Sequence, residues 1–179
     1  FTNLIMGSNS ALSFDVSRAN SGSGYTITTS TPIPNMTYAP NMIFGPYHDI
    51  NPNIASANKK IEWRVEGTAP KRRFIASYND IPYFGSSCLT ERATHQMVLY
   101  EGTGIVEVYI MDKPFCTSWN SGLTILGMQD GTRTQAIAAP GKNATTWGSY
   151  NMNEAYRFIP SSGTSRLKSA QLVVNGNVV

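Results

Sequence analysis

The feature that most limits how this chain can fold is a two-residue alternation of apolar and polar side chains in short runs bounded by turn residues. The clearest case joins residues 96–100 to residues 105–110 through residues 101–104, which include Gly102 and Gly104. Alternation places successive side chains on opposite faces of an extended strand, and a link of this length and composition is typical of a hairpin. The pattern predicts antiparallel β-strands.

A second hairpin is predicted between residues 60–66 and residues 73–78. Ile61, Trp63 and Val65 alternate with charged residues, which predicts a half-buried strand with Trp63 in the core. The turn at residues 67–70 contains Gly67 and Pro70. Further strands are expected at residues 11–16, 41–48, 123–129, 135–138, 155–159 and 171–174.

No window of eleven or more residues has a helical period. Many short strands at intervals of about ten residues predict an all-β fold, an antiparallel β-sandwich of jelly-roll-like character. We assign residues 1–164 to this module and interpret residues 165–179 as a linker or the first strand of a following domain. Hydrophobic residues make up 41% of the chain, enough for a sizeable core.

The charge balance bears on the class of partner. Lys and Arg number 14 against 11 Asp and Glu, so a dedicated nucleic-acid binder is not expected. No stretch reaches eighteen apolar residues, so we expect no membrane insertion.

The two cysteines, Cys88 and Cys116, are not in a C-x-x-C pair, and the chain has only 2 His, which argues against a zinc site. A disulfide and a pair of buried thiols both remain open from the residues alone.

The order of motifs resembles an extracellular β-rich module of large secreted surface proteins of Bacteroidota. Many of these carry a gliding-motility-associated domain and leave the cell by type IX secretion, and the module is also distantly similar to nidogen-type domains. The motifs are SNSALSFD (8–15), IFGPYHDINP (43–52), GTAPKRRF (67–74), VLYE and IVEVYI (98–101 and 105–110), KP (113–114), CTSWNSG (116–122), PGKN (140–143) and NEAYRFIP (153–160).

The resemblance implies an extracellular or cell-surface protein that serves adhesion or structural assembly. It supports a disulfide between Cys88 and Cys116, it implies that the module lacks its first strands, and it supplies no catalytic residues. A module of this kind would bind a surface glycan or a neighbouring protein domain, or would self-assemble through edge strands.

A carbohydrate-binding module needs exposed aromatic rings beside polar groups. The alternative function is a carbohydrate-binding module of a secreted hydrolase. The candidate ligand-binding residues are Trp119, Asn120, Trp147 and Tyr150, which fall in loop-like segments.

Three further candidates have plainer interpretations. Asp49, Asn51 and Asn53 alternate as calcium ligands can, but Asp and Asn also supply turn geometry. No G-x-S-x-G motif exists, and His48 is read as a hydrogen-bonded histidine at a sheet rim, so no enzyme is expected.

The basic residues around the second hairpin are expected to pair with Glu62 and Glu66 or to meet a polyanion; they are Lys59, Lys60, Arg64, Lys71, Arg72 and Arg73.

Overall fold

The structure is a computed structural model that describes residues 2–19, 31–151, 153–161, 167–174 and 177–178. Within these residues the chain forms two antiparallel sheets, which confirms the predicted all-β sandwich. The strands are β1 (Ile5–Gly7), β2 (Ala11–Ser13), β3 (Met42–Tyr47), β4 (Lys60–Glu66), β5 (Arg73–Pro82), β6 (Arg92–Tyr100), β7 (Val106–Asp112), β8 (Leu123–Gln129), β9 (Ala136–Ala138), β10 (Thr145–Thr146), β11 (Glu154–Pro160), β12 (Leu167–Val174) and β13 (Asn177–Val178).

The first sheet has the strand order β1-β2-β3-β8-β10, and β9 also pairs with β8. The second sheet has the order β13-β12-β11-β7-β6-β5-β4, so β4 is an edge strand. Both predicted hairpins are present in this second sheet. Met97 of β6 lies opposite Val108 of β7, and Trp63 of β4 lies opposite Ala76 of β5.

The core lies between the two sheets. Leu12, Ile43 and Leu126 of the first sheet belong to one buried cluster with side chains of the second sheet such as Met97 and Phe158. Burial of such side chains contributes about 1.5–3 kcal/mol each, which is the main force holding the layers together.

A smaller buried cluster covers the other face of the first sheet. Phe44 and Tyr47 of β3 make edge-to-face contacts with Tyr38, whose segment also carries the buried Ile33. All six residues of β3 are therefore buried, because the strand is covered on both faces.

Strand positions follow the predictions closely in the second half of the chain. β8 has the predicted bounds, 123–129. β2 is shorter than the predicted 11–16, because the side chain of Asp15 accepts a hydrogen bond from the backbone N–H of Ser17 and a 3-10 turn begins at Val16.

The segment predicted as a linker or the first strand of a following domain lies partly outside the described residues. Its described part includes β12, which pairs with β11, and β13, which pairs with β12. These strands continue the second sheet, while the position of a domain boundary stays a prediction.

The prediction that Trp63 belongs to the core is wrong. Its side chain is 63% exposed and stacks on Phe74, with ring centroids 5.9 Å apart. Alternation correctly places Ile61, Trp63 and Val65 on the core side of the sheet. At the edge strand, however, nothing among the described residues buries Trp63 or Val65.

No helix in the described part of the chain is long and apolar enough to cross a membrane.

Candidate functional site

Exposed aromatic side chains gather at one end of the sandwich, where β5, β7 and β10 end and β6, β8 and β11 begin. Phe84 and Trp119 are in tilted contact with ring centroids 5.0 Å apart, and Phe115 and Tyr150 stack at 6.3 Å. We refer to Phe84, Phe115, Trp119 and Tyr150 together as the aromatic loop end. Each of the four is between 38% and 48% exposed.

A disulfide ties these loops together. Cys88, which ends the short 3-10 turn at Ser86–Cys88, is bonded to Cys116, which directly follows Phe115. The predicted disulfide is therefore present. It joins the loop that carries Phe84 to the loop that carries Phe115 and Trp119.

Hydrogen bonds fix the orientation of two of the rings. The indole N–H of Trp119 donates to Oδ2 of Asp49 over 2.8 Å, and the hydroxyl of Tyr150 accepts from the backbone N–H of Phe115 over 2.6 Å. Trp119 also packs directly on Gly85, where an added Cβ would lie 3.1 Å from the indole. The rings are thus held in place before any partner binds.

Asp49 is half-buried under Trp119. Burial raises the pKa of its carboxyl group, and the hydrogen bond from Trp119 partly offsets that rise. The other two residues of the predicted calcium set have local roles: Oδ1 of Asn51 accepts from the backbone N–H of Asn53 over 3.0 Å, which is an Asx turn. In the described residues no group of three or more His, Cys, Asp or Glu side chains is placed to hold a metal ion.

Trp147 does not join the exposed rings. It is buried, and its face is covered by the ammonium groups of Lys142, 3.8 Å from the ring centroid, and of Lys113, 4.9 Å away. Its interpretation as a binding ring is therefore wrong. Asn120, by contrast, is exposed beside Trp119.

A buried lysine lies beneath the aromatic loop end. Nζ of Lys113 donates to the carbonyl oxygen of Trp147 over 2.7 Å, and the backbone of Lys113 pairs with that of Ser149. Burial, assisted by the positive charge of Lys142, lowers the pKa of Lys113 to about 7. Sequence reasoning missed this residue because no periodic pattern distinguishes a buried lysine from an exposed one.

Both histidines are buried, and each has a hydrogen-bond partner inside the sandwich. Nδ1 of His48 contacts the carbonyl oxygen of Pro46, and Nε2 of His95 lies 2.6 Å from Oγ of Ser10. Burial lowers the pKa of both rings, that of His95 to about 3. The cavity that His48 lines holds about 20 Å³, which is room for one water molecule rather than a substrate.

Four of the six basic residues in and around the β4–β5 hairpin have carboxylate partners. Glu66 binds both Arg64 and Arg73, Lys60 lies 2.7 Å from Glu62, and Arg72 lies 2.6 Å from Glu101. Nζ of Lys59 donates instead to the carbonyl oxygens of Pro52 and Ile54. This arrangement favours the interpretation of the cluster as a solvated, paired face over a polyanion site.

Comparison with family models gives a match over most of the chain. A family model described as NIDO related matches residues 1–166. No curated protein and no solved structure matches the chain.

Proposed function

Because the chain belongs to the NIDO-related family, we propose that it is a non-catalytic extracellular module that serves adhesion or structural assembly at a cell surface. The family and the disulfide both fit an extracellular domain. The proposal extends to the kind of parent protein: the motif order supports a secreted surface protein of the gliding-motility, type IX secretion type.

The observation that carries this function is the aromatic loop end. Phe84, Phe115, Trp119 and Tyr150 expose ring surface on loops held by a disulfide and by side-chain hydrogen bonds. Aromatic rings offer a large contact area at small entropic cost when they are already ordered, which is typical of a recognition surface. The partner in this proposal is a neighbouring protein domain or a surface glycan.

Carbohydrate binding is the second candidate, and one observation favours it. The exposed ring of Trp119 lies beside the exposed amide of Asn120 and the carboxyl group of Asp49, so an apolar face and polar groups occur together. A sugar presents the same combination of C–H surface and hydroxyl groups.

The test is a binding screen of the purified chain against immobilised extracellular proteins and polysaccharides. We expect at least one of these to bind the wild-type chain and to lose most of that binding with Trp119→Ala. The matched control is Met36→Ala, which removes a 60% exposed apolar side chain. The carbonyl oxygen of Met36 accepts a hydrogen bond from Arg133, which follows the end of β8 away from the four aromatic rings. Equal binding by Trp119→Ala and Met36→Ala would overturn the role of the aromatic loop end, and turnover of a polysaccharide would overturn the non-catalytic function.

A further inference from the structure

The outer edge of β4 presents an unusual surface. β4 is seven residues long and ends the second sheet, and the described residues supply no strand on its outer side. An edge of this length exposes unpaired backbone N–H and C=O groups, which are a template for another strand. Trp63 and Val65, 63% and 50% exposed, add an apolar stripe on the core side of the same edge.

Charge on the opposite face of β4 alternates in sign. Lys60, Glu62, Arg64 and Glu66 follow one another along that face, and their ion pairs within the described part of the chain are with β4 or β5. Charged side chains, lysine above all, commonly keep an edge strand from pairing with a second chain. The charges of β4 alternate in sign, so they do not repel a strand of matching sequence in a register that sets opposite signs against each other.

The sequence of β4 complements itself in one antiparallel register. When Trp63 lies opposite Trp63 of a second copy, Lys60 faces Glu66, Glu62 faces Arg64, and Ile61 faces Val65. All seven residues are paired, every charge meets its opposite, and the apolar stripes join on one face. Two-fold symmetry is built into this arrangement, since every pair occurs twice except Trp63 with Trp63, which lies on the axis.

Neighbouring registers lack this match. A shift of two residues in one direction sets like charges against each other, with Glu62 opposite itself and Lys60 opposite Arg64. A shift of two residues in the other direction does the same, with Arg64 opposite itself and Glu62 opposite Glu66. A shift of one residue places the apolar stripe of one copy against the charged face of the other.

We propose that two copies of this chain associate edge to edge through β4, in the register centred on Trp63, to form one continuous sheet. The inference rests on the proposed assembly function, for which it names the partner, but it concerns a different surface from the aromatic loop end. A single edge ladder is a small contact, so the dimer is expected to be weak in solution and reinforced when many copies share a surface.

The test is sedimentation equilibrium of the purified chain from about 1 μM to about 1 mM, the range of weak dissociation constants. We expect a monomer–dimer equilibrium whose dissociation constant rises about tenfold with either Glu62→Arg or Arg64→Glu, because each places like charges opposite each other twice. The double variant E62R/R64E restores the pairing and the wild-type dissociation constant. An equimolar mixture of the two single variants forms a heterodimer.

Lys71→Glu is the matched control, since it makes the same charge change as Arg64→Glu in the adjacent turn without altering β4. A wild-type chain that stays monomeric throughout the range would overturn the proposal. So would a dimer that the single variants do not weaken or that the double variant does not restore. Either result leaves binding by the aromatic loop end to be judged by its own screen, so the two failures are distinguishable.

Discussion

A disulfide joins Cys88 to Cys116 with their Cα atoms 5.9 Å apart, and it links the loop after β5 to the loop after β7. The bond closes a loop with a sequence separation of 28 residues, through which both β6 and β7 pass. It therefore constrains the unfolded chain and also holds the segments that carry the aromatic loop end.

Loss of this disulfide should lower the free energy of unfolding by about 3–4 kcal/mol, from the chain entropy of a loop of this size. Urea unfolding with and without reductant measures the loss, and mass spectrometry should show a gain of about two daltons on reduction, one hydrogen atom per sulfur, with the two electrons supplied by the reductant. The double variant C88A/C116A should be insensitive to reductant. Equal unfolding midpoints with and without reductant would contradict the prediction.

Acid should destabilise the fold through its buried histidines. Burial holds the pKa of His95 at about 3 and that of His48 well below its usual value. As the pH falls below about 6.5 the unfolded chain binds protons that the native chain does not, so the free energy of unfolding decreases. The slope is at most about 1.4 kcal/mol per pH unit for each histidine.

Urea unfolding between about pH 6 and about pH 5, below the folded-state pKa of Lys113 and above the range in which most carboxyl groups titrate, isolates this effect. His95→Gln keeps a polar side chain near Ser10 and should make the dependence of the free energy of unfolding on pH less steep. A flat wild-type profile over this interval, or one whose slope His95→Gln leaves unchanged, would refute the assignment.

Stability should increase with pH on the alkaline side through Lys113. Its pKa in the folded chain is about 7, against an ordinary value of 10.5, so between these values the unfolded chain holds a proton that the native chain has released. The free energy of unfolding therefore rises with pH across this window. Below pH 7 both states are protonated, and the full cost of burying the charge remains.

Lys113→Met should flatten the profile between about pH 7.5 and about pH 9.5, below the titration of most tyrosines. The exposed Lys71→Met is the control and should leave the profile unchanged. Lys113→Met also leaves the carbonyl oxygen of Trp147 without its donor, which costs about 1–3 kcal/mol of unfolding free energy. At the acid end of this pH window the removal of a buried charge offsets that cost, so the variant is least stable relative to the wild type at the alkaline end. An unchanged slope would show that Lys113 keeps its proton in the folded chain.

Gly127 of β8 should not tolerate a side chain. An added Cβ would overlap the carbonyl oxygen of Ile137 and lie 2.8 Å from Cα of Ala138, both backbone atoms of the paired strand β9. Gly127→Ala should therefore cost about 1–3 kcal/mol of unfolding free energy. At Gly7 of β1 the nearest atom to an added Cβ is 3.6 Å away, so Gly7→Ala should be neutral or slightly stabilising. Thermal melts of the two variants compare them directly, and equal melting temperatures would contradict the packing of β9 on β8.

Alternation in the sequence was enough to predict the strands and the two-layer class, because side-chain direction has a period of two in any strand. It was not enough to predict burial. The same pattern at Trp63 places the ring on the core side, but whether another strand covers that side depends on how far the opposite sheet extends. The sheet order, with β3 next to β8, likewise follows from contacts between residues that are distant in sequence.

The sequence predicted only part of the candidate site, because it does not show which aromatic rings in loops are covered by other side chains. Trp119 and Tyr150 are exposed as expected, while Trp147, in the same kind of loop-like segment, is covered by Lys113 and Lys142. Phe84 and Phe115 were missed because an isolated aromatic in a loop carries no sign of its exposure. The disulfide, which sequence spacing left undecided, brings these loops together.

The most direct test of a recognition role for the aromatic loop end is hydroxyl-radical footprinting of the chain, free and bound to the protein or polysaccharide that the screen identifies. Aromatic side chains react readily with the radical, so each exposed ring reports its own contact. The account predicts that binding protects Phe84, Phe115, Trp119 and Tyr150 while Met36 stays fully reactive. Protection elsewhere, with these four rings as reactive as in the free chain, would contradict it.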